Sequence, residues 1–367
     1  MKKKIVLIGF TKICYMPYLY FYLNRVKKNE YEIHLIYWDR DKKEDVSLSN
    51  DVFLHSYKYE IEDTMPLYKK IPGILGFSKF AKKELEEINA DKLIVMHSTT
   101  ALTIYRYLKK KYYNKYIFDY RDVTYEKFIF YKMLISKIVK NSYITFISSN
   151  DFRMYLPTIK NKIYLSHNTD KFVLDKYYFN SMKKDNEIKY PIRIAFWGLI
   201  RHTDYNKKII KKIGMDERYQ LHYYGRATGE DLKLLLESEK KYNNIFFHGE
   251  YMPHEREVFA KNTDIIHNLY SNQDPTTPHA MGNKFYDGLI FKIPQLCTSG
   301  SYMGRVCTEY GVGMECNPDN EQFCDEIFDY YVCIDRSVFD KSCVELITKI
   351  KSEIEEGELK IDEFISK

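Results

Sequence analysis

Residues 92–148 read KLIVMHSTTALTIYRYLKKKYYNKYIFDYRDVTYEKFIFYKMLISKIVKNSYITFIS, and this stretch decides the fold class. Three short apolar runs, KLIVMH (92–97), KYIFDY (115–120) and SYITFIS (142–148), are separated by two segments with helical periodicity. Runs of this length, rich in Ile, Val, Tyr and Phe, predict strands that are buried on both faces. Because helices separate them, the strands are predicted to form a parallel sheet that helices cover on both sides.

The same alternation extends through most of the chain and starts a second time after a polar segment. Further strands are predicted at residues 4–9, 31–37, 51–57, 162–166, 192–198, 220–225, 244–249, 264–270 and 294–298. A chain of 367 residues is long enough for two domains. We therefore predict an α/β fold of two doubly wound, Rossmann-like domains that face a central cleft, with a helical C-terminal segment.

The predicted domain bounds follow from this pattern. The first domain comprises residues 1–170, and the polar stretch 171–190 is a linker. The second domain comprises residues 191–340. Residues 341–367 form the helical C-terminal segment, for which packing back on the first domain is one option.

Composition and charge exclude several classes of protein. The chain is 45% hydrophobic and 29% charged, which is typical of a globular protein. The net charge of +6 is a mild excess without an interleaved basic and aromatic motif, so we expect no nucleic-acid partner. Seven cysteines without CxxC spacing favour a reducing cytoplasm over a zinc site or a disulfide framework. The start, MKKKIVLIGF, predicts a buried strand rather than a signal peptide, because Lys12 interrupts the apolar run.

The segment MGNKFYDGLIFKIP (281–294) carries the strongest functional signal. Asn283 and Lys284 stand at the predicted start of a short amphipathic helix, and Asp287 follows one turn later. A helix start presents unpaired N–H groups and the positive end of a dipole, which suit a phosphate. Lys284 adds a positive charge, and Asp287 offers an acceptor to sugar hydroxyls. These features suggest a site for a nucleotide with a charged diphosphate, such as a nucleotide-activated sugar.

A series of segments along the chain carries a resemblance to a known family. In the second half they are FWGLIRH (196–202), LHYYGRA (221–227), NIFFHGEY (244–251), NTDIIHNLYSN (262–272), GNKFYDGLIFKIPQL (282–296) and SYMGRVCTEYGVG (301–313). In the first half they are IVMHSTT (94–100), FDYRDVTYEK (118–127), ITFISSNDF (144–152) and IYLSHNTD (163–170). In this order they resemble GT-B glycosyltransferases, closest to family 4-like enzymes of bacterial capsule and exopolysaccharide loci.

The resemblance implies a set of donor-binding residues in the second domain. Gly198 would end the first strand of this domain. Arg201 would bind the diphosphate of the sugar donor through the N–H groups of its planar guanidinium. Asn283 and Lys284 would make the second diphosphate contact. The alternatives are an exposed loop arginine and an ordinary surface helix start.

Two expected glutamates of the family are replaced in this chain. Asp287 stands at the position that would hold the ribose hydroxyls, and its side chain is shorter than that of Glu. His279 stands at the other position and would hydrogen-bond the transferred sugar or simply lie in a loop. Leu199 and Asp204 occupy places where the family commonly has Arg and Lys, so Arg201 would have to compensate.

In the first domain the resemblance implies an acceptor-side site. His97 ends a strand and would contact the acceptor or the transferred sugar, with a buried structural histidine as the alternative. Arg121 and Asp122 would orient an acceptor hydroxyl, and the alternative for Asp122 is a helix N-cap. Asn168 is expected to have a structural role.

The implied function is a hexosyltransferase-type glycosyltransferase without a cofactor, for which the nucleotide sugar, a UDP-sugar by preference, is a substrate. The implied catalytic residues are His97, Asp122, Arg201 and Lys284, the reaction retains the anomeric configuration, and the acceptor is a glycan or a polyprenyl-diphosphate-linked glycan. Positive groups at the diphosphate would replace a metal ion. The DRD sequence at Asp39–Asp41 has the form of the metal-binding DxD motif of the other glycosyltransferase fold, but we interpret it as a solvated loop.

Two basic and apolar stretches, Lys69–Glu87 and Lys127–Lys140, suggest contact with an anionic membrane surface. Ordinary core-facing helices with outer lysines are the alternative. The expected location is therefore the cytoplasm, with peripheral contact on the inner face of the cell membrane as an option. The rival functions are a nucleotide-sugar 2-epimerase of the same fold and a non-catalytic nucleotide-sugar-binding partner subunit.

Overall fold

A computed structural model of the chain describes residues 2–27, 29–42, 44–61, 65–169, 171–179 and 189–367. The chain divides into two compact units. The first comprises Met1–Asp170 and Ser352–Lys367, and the second comprises Lys171–Lys351.

The first unit is built on a parallel sheet of seven strands in the order β3-β2-β1-β4-β5-β6-β7. The strands are Lys4–Ile8 (β1), Glu32–Asp39 (β2), Val52–Lys58 (β3), Lys92–Met96 (β4), Tyr116–Tyr120 (β5), Ile144–Ile147 (β6) and Ile163–Leu165 (β7). The helices are Leu19–Val26 (α1), Leu67–Ile88 (α2), Ser98–Thr103 (α3), Tyr105–Lys111 (α4) and Ile129–Asn141 (α5), with 3-10 turns at Ile13–Tyr15 and Asn150–Tyr155. β1 is fully buried from Ile5 to Ile8, as expected for a central strand that is covered on both faces.

The second unit repeats the architecture with six parallel strands in the order β10-β9-β8-β11-β12-β13. The strands are Ile192–Trp197 (β8), Tyr219–Tyr224 (β9), Ile245–Gly249 (β10), Ile265–Asn268 (β11), Gln295–Thr298 (β12) and Gly313–Cys316 (β13). The helices are Lys171–Phe179 (α6), Thr203–Gly214 (α7), Gly229–Lys241 (α8), Arg256–Lys261 (α9), Asn283–Ile290 (α10), Tyr302–Glu309 (α11), Phe323–Val332 (α12) and Arg336–Ser366 (α13), with 3-10 turns at Pro253–Glu255 and Thr277–His279.

In each sheet the strand order reverses beside a central strand. The reversal falls between β1 and β4 in the first unit and between β8 and β11 in the second. Open α/β sheets bind ligands at the carboxyl ends of strands next to such a reversal. His97 directly follows β4, and Gly198 directly follows β8, so predicted site residues lie at both of these positions.

The long helix α13 ends against the first unit. Ile361, Phe364 and Ile365 belong to the same apolar core as β1 and α1. Arg25 pairs with Asp362, and the hydroxyl of Tyr31 donates a hydrogen bond to the carbonyl oxygen of Ile365 at 2.9 Å. The final residues of the chain thereby complete the core of the first unit.

The predicted fold class of two doubly wound α/β units with a helical C-terminal segment is confirmed. Two details differ from the prediction. Strand β13 was not predicted, and the helical segment that was predicted between the strands at 92–97 and 115–120 is broken at Ile104 into α3 and α4. The predicted linker includes helix α6, and its residues 180–188 lie outside the described residues. Within the described chain, no helix is long and apolar enough to cross a bilayer.

Candidate functional site

Two glycines shape the carboxyl edge of the second sheet. Gly198 follows β8 with a φ of +132°, and Gly225 follows β9 with a φ of +137°. A Cβ atom on Gly225 would lie 1.8 Å from the carbonyl oxygen of Gly198, so only glycine fits there. A Cβ atom on Gly198 would lie 3.4 Å from Nζ of Lys284. The φ of Gly198 therefore favours glycine at the end of β8, and this predicted residue lies in direct contact range of Lys284.

Lys284 is a buried lysine in the first turn of α10, and its side chain is surrounded by aromatic rings. The residue is 7% exposed, and Nζ lies 4.0 Å from the ring centroid of Phe196 and 4.9 Å from that of Tyr270. Among the described residues, no group forms a hydrogen bond or an ion pair with this ammonium. The pKa of Lys284 is lowered to about 7, mainly by burial and also by the charge of nearby Arg201, while Asp287 opposes the change. A buried cation without a counter-ion is costly unless an anion binds to it.

Arg201 and Asn283 lie beside this lysine. Arg201 is exposed in the loop between β8 and α7, and its guanidinium also has no hydrogen bond or ion pair within the described chain. Asn283 is exposed at the first position of α10, where the N-cap residue, Gly282, has no side chain to cap the first turn. The predicted set of Gly198, Arg201, Asn283 and Lys284 therefore lies at one sheet edge and one helix start, which is an arrangement that suits an anion.

Asp287 has two donors from within the unit. The indole N–H of Trp197 donates to Oδ2 at 2.9 Å, and Nη1 of Arg256 donates to Oδ1 at 2.9 Å. The residue is 6% exposed. Each carboxylate oxygen can still accept a further hydrogen bond, so the pairing leaves a contact with ribose hydroxyls chemically available.

Two histidines complete the surroundings of this edge. His267, on β11, is fully buried, and desolvation together with the charge of Lys284 lowers its pKa to about 3. It is therefore neutral at physiological pH and adds no charge to the site. His279 ends the 3-10 turn Thr277–His279, which packs against α11.

In the first unit, His97 and Asp122 are brought together. His97 has a φ of +77°, which is uncommon for a residue with a side chain, and its Nδ1 accepts a hydrogen bond from the N–H of Thr99 at 3.2 Å. Because Nδ1 is an acceptor, the neutral ring carries its proton on Nε2, which lies 3.3 Å from Oδ2 of Asp122. The alternative of Asp122 as an N-cap is wrong, because the next helix starts at Ile129 with Phe128 at the cap position.

Arg121 has a structural role rather than the predicted contact with an acceptor hydroxyl. It is buried, and its guanidinium donates to Asp119 at 2.9 Å, to the hydroxyl of Ser166 at 2.7 Å and to Asn168 at 3.0 Å. It also stacks on Tyr18 with its central carbon 4.4 Å from the ring centroid. These contacts let Arg121 hold the ends of β5 and β7 together, and the structural role of Asn168 is to accept a hydrogen bond from this arginine.

The DRD sequence is not a freely solvated loop. Asp39 and Asp41 pair with the buried Nζ of Lys12 at 3.1 and 2.8 Å, and Asp41 also accepts from the hydroxyl of Tyr15 at 2.9 Å. The prediction failed because Lys12 lies 27 residues before Asp39, and local sequence does not show that pairing. Within the described ranges, no group of His, Cys, Asp and Glu side chains could hold a metal ion.

Three residues at this edge of the second sheet were not predicted from sequence. Trp197 and Arg256 position Asp287, and Tyr270 contacts Lys284. One signal was present: an acidic residue on the apolar side of an amphipathic helix needs a partner. The sequence does not say which partner that is.

Solved structures share the fold of the entire chain. Sucrose-phosphate synthase from Thermosynechococcus elongatus matches with a TM-score of 0.71 and 10% identity over 100% of both chains. Anabaena HepE, in complex with UDP and glucose, matches with a TM-score of 0.60 and 11% identity over 99% of each chain. A putative UDP-N-acetylglucosamine 2-epimerase from Listeria monocytogenes matches with a TM-score of 0.56 and 13% identity over 97% of this chain and 98% of that one.

At these identities the likeness establishes the fold, and the fold is the GT-B fold that glycosyltransferases share with such epimerases. No protein-family model matches the sequence, and no curated protein matches it.

Proposed function

We propose that the chain is a glycosyltransferase that moves a hexose from a nucleoside-diphosphate donor, a UDP-sugar, to a glycan or a polyprenyl-diphosphate-linked glycan in cell-surface polysaccharide synthesis. The observation that carries the proposal is Lys284, a buried ammonium without a counter-ion at the carboxyl end of β8. Such a group is costly to the apo protein, and a bound diphosphate would remove that cost. The complex of HepE with UDP and glucose, on the same fold, supports a UDP-linked donor.

In the proposed reaction, the bond between the sugar and the β-phosphate breaks, and its electron pair stays on the phosphate oxygen. Lys284, Arg201 and the N–H groups at the start of α10 stabilise the negative charge that develops there. The acceptor oxygen forms the new bond on the same face of the sugar, and its proton passes to the departing diphosphate. The anomeric configuration is thus retained without a covalent enzyme intermediate. Because the protein supplies the positive charge, the reaction needs no divalent ion, and activity is expected to survive EDTA.

The remaining predicted residues contact the sugars in this proposal. Asp287 accepts hydrogen bonds from the ribose hydroxyls with its free lone pairs, and His279 contacts the transferred sugar. In the first unit, Asp122 binds a hydroxyl of the acceptor or of the sugar, and His97 positions it through the 3.3 Å contact.

The test is a screen of nucleotide sugars for binding and transfer with a matched pair of lysine variants. Lys284→Met keeps the side-chain length and removes the charge. Lys240→Met makes the same change at an exposed lysine in the last turn of α8. We expect one donor to bind wild type and Lys240→Met equally and Lys284→Met at least about tenfold more weakly. Equal donor binding and equal transfer by both variants would overturn the proposal.

An exposed apolar cluster supports membrane contact by the first unit. Phe128, Ile129 and Phe130 are 66%, 63% and 78% exposed, and they precede or begin α5 beside the exposed Lys127 and Lys137. Apolar side chains that are flanked by lysines bind anionic bilayers. We propose that this cluster brings the enzyme to a lipid-linked acceptor. In the other predicted stretch, Phe77 is fully buried in the core, while Ile71 and Leu75 are exposed.

Vesicle sedimentation tests this part of the proposal. Phe128→Ser/Phe130→Ser is expected to lose binding to vesicles that contain phosphatidylglycerol, whereas Tyr113→Ser, a change at another exposed aromatic residue, is expected to keep it. Equal binding of the two variants, or binding that salt does not weaken, would refute membrane contact through this cluster.

The similarity to the Listeria epimerase favours a second candidate function. A 2-epimerase converts its nucleotide sugar without any acceptor. Incubation of each donor alone, followed by NMR of the sugar, separates the two: inversion at C2 supports an epimerase, and an unchanged donor that reacts only with an acceptor supports a transferase. Binding without either reaction would indicate a non-catalytic nucleotide-sugar-binding subunit.

A further inference from the structure

Lys284 and Asp287 lie three positions apart on α10 and yet do not form an ion pair. Side chains at this spacing are neighbours on a helix, with Cβ atoms about 5–6 Å apart. Both residues are buried, and Asp287 lies near enough to raise the pKa of Lys284. Within the described residues, no ion pair joins Lys284 to Asp287, although they are the only oppositely charged side chains on α10.

Asp287 is instead held by two groups from outside its helix. Trp197, at the end of β8, binds Oδ2, and Arg256, at the start of α9, binds Oδ1. Both contacts measure 2.9 Å, and together they engage both oxygens of the carboxylate. Charge-assisted hydrogen bonds of this length hold an orientation strongly. The pairing therefore fixes the carboxylate in a rotamer that leaves the ammonium of Lys284 unpaired.

We propose that Arg256 is a positioning residue of the donor site, because it keeps Asp287 from neutralising Lys284 and so leaves that lysine to bind the phosphates of the donor. The inference rests on the proposed function, in which Lys284 contacts the diphosphate. Without Arg256, Oδ1 of Asp287 loses its ionic partner, and the nearest buried cation is Lys284. An incoming phosphate then has to compete with an internal carboxylate for the same ammonium.

Inorganic pyrophosphate is the probe of choice, because it has no ribose for Asp287 to hold. Calorimetric titration compares wild type, Arg256→Gln, Asp287→Asn and the double variant. We expect Arg256→Gln to weaken binding by about fivefold, the size of one partly exposed ion pair. Asp287→Asn is expected to bind at least as tightly as wild type. The double variant is expected to bind like Asp287→Asn, because no carboxylate is left to compete.

Two further variants serve as controls. Lys261→Gln removes the same charge from the other end of α9 and is expected to bind like wild type. Arg256→Lys keeps a charge near Asp287 and is expected to lose less affinity than Arg256→Gln. Circular dichroism of each variant verifies that it is folded.

The outcomes separate this inference from the proposed function. If Arg256→Gln loses the same affinity in the wild-type and Asp287→Asn backgrounds, Arg256 contacts the anion directly and the positioning role is refuted. If Arg256→Gln loses nothing, the role is refuted as well. If wild type binds no pyrophosphate, Lys284 is not free for an anion and this inference is refuted, whereas the proposed function is decided separately by donor binding and transfer with Lys284→Met and Lys240→Met.

Discussion

The pH dependence of donor binding tests the central feature of the site, the unpaired Lys284. Its pKa of about 7 in the free protein results mainly from burial, with a contribution from Arg201. A bound diphosphate places negative charge beside the ammonium and holds it protonated. Affinity is therefore greatest well below pH 7 and falls as the pH rises through 7, because a growing share of the binding events must first take up a proton. Of the groups around the ammonium, Asp287 is already paired, and His267 stays neutral in this range.

The magnitude follows from the charged fraction of Lys284. With a pKa of about 7, roughly three quarters of the free protein carries this charge at pH 6.5 and about a tenth at pH 8. The dissociation constant should therefore rise about eightfold between these pH values, equivalent to roughly 1.3 kcal/mol. UDP-glucose is a suitable ligand for this measurement, because its diphosphate has no ionisation in this window.

The assay is calorimetry in two buffers of different ionisation enthalpy, which counts the protons taken up. We expect about 0.9 proton per binding event at pH 8 in wild type. Lys284→Met is expected to bind weakly, with no proton uptake and no pH dependence. A wild-type dissociation constant that is flat from pH 6.5 to 8 would refute the reasoning, and so would a slope that persists in Lys284→Met.

Three further outcomes follow from the same contacts. Lys284→Met should raise the unfolding free energy of the ligand-free protein at pH 7 by about 1 kcal/mol or more, because an apolar side chain replaces an unpaired buried cation. Thermal denaturation should show a higher melting temperature than wild type without ligand and a smaller shift on addition of UDP-glucose. A lower melting temperature of the ligand-free variant would contradict this expectation. Trp197→Phe should lower the unfolding free energy by about 1–3 kcal/mol, because Oδ2 of buried Asp287 loses its hydrogen-bond donor. Urea denaturation measures the change, and an unchanged unfolding free energy would mean that the indole hydrogen bond contributes nothing to stability. His97→Gly should change the unfolding free energy by no more than about 1 kcal/mol from wild type, because relief of the backbone strain at a φ of +77° offsets the lost hydrogen bond from Thr99. The kcat of this variant should nevertheless fall. An unchanged kcat with a lower unfolding free energy would show that His97 is purely structural.

The sheets could be predicted from sequence because central parallel strands are buried on both faces and appear as uninterrupted apolar runs. β1 and β4 have this form, whereas the unpredicted β13 is the four-residue GMEC at a sheet edge, with Gly313 and Glu315 inside it. The break at Ile104 was not predictable either, because the helical pattern continues through it, and only its backbone, with a φ of −111°, departs from the helix.

The positions of the site residues were predictable, but their environments were not. The predicted helix start indicated a phosphate site at Lys284, and the family resemblance added Gly198 at the end of a predicted strand. Burial of Lys284 depends on Phe196 and Tyr270, which come from other elements. The pairing of Asp287 with Arg256 spans 31 residues, and no local pattern shows it. The role of Arg121 was misread for the same reason.

Among the described residues, Lys12 and Lys284 are the two buried lysines, and their surroundings differ in a way that supports a functional interpretation of Lys284. Lys12 is 2% exposed, pairs with Asp39 and Asp41, and has its pKa raised by those partners despite its burial. Lys284 has a carboxylate three residues away on its own helix, but that carboxylate pairs with Arg256 instead. Pairing along the helix would have stabilised the folded protein. Buried groups left unsatisfied against local preference occur mainly at functional sites, where a ligand supplies the missing partner. The missing partner of Lys284 is an anion, and the unpaired N–H groups at the start of α10 are suited to the same ligand.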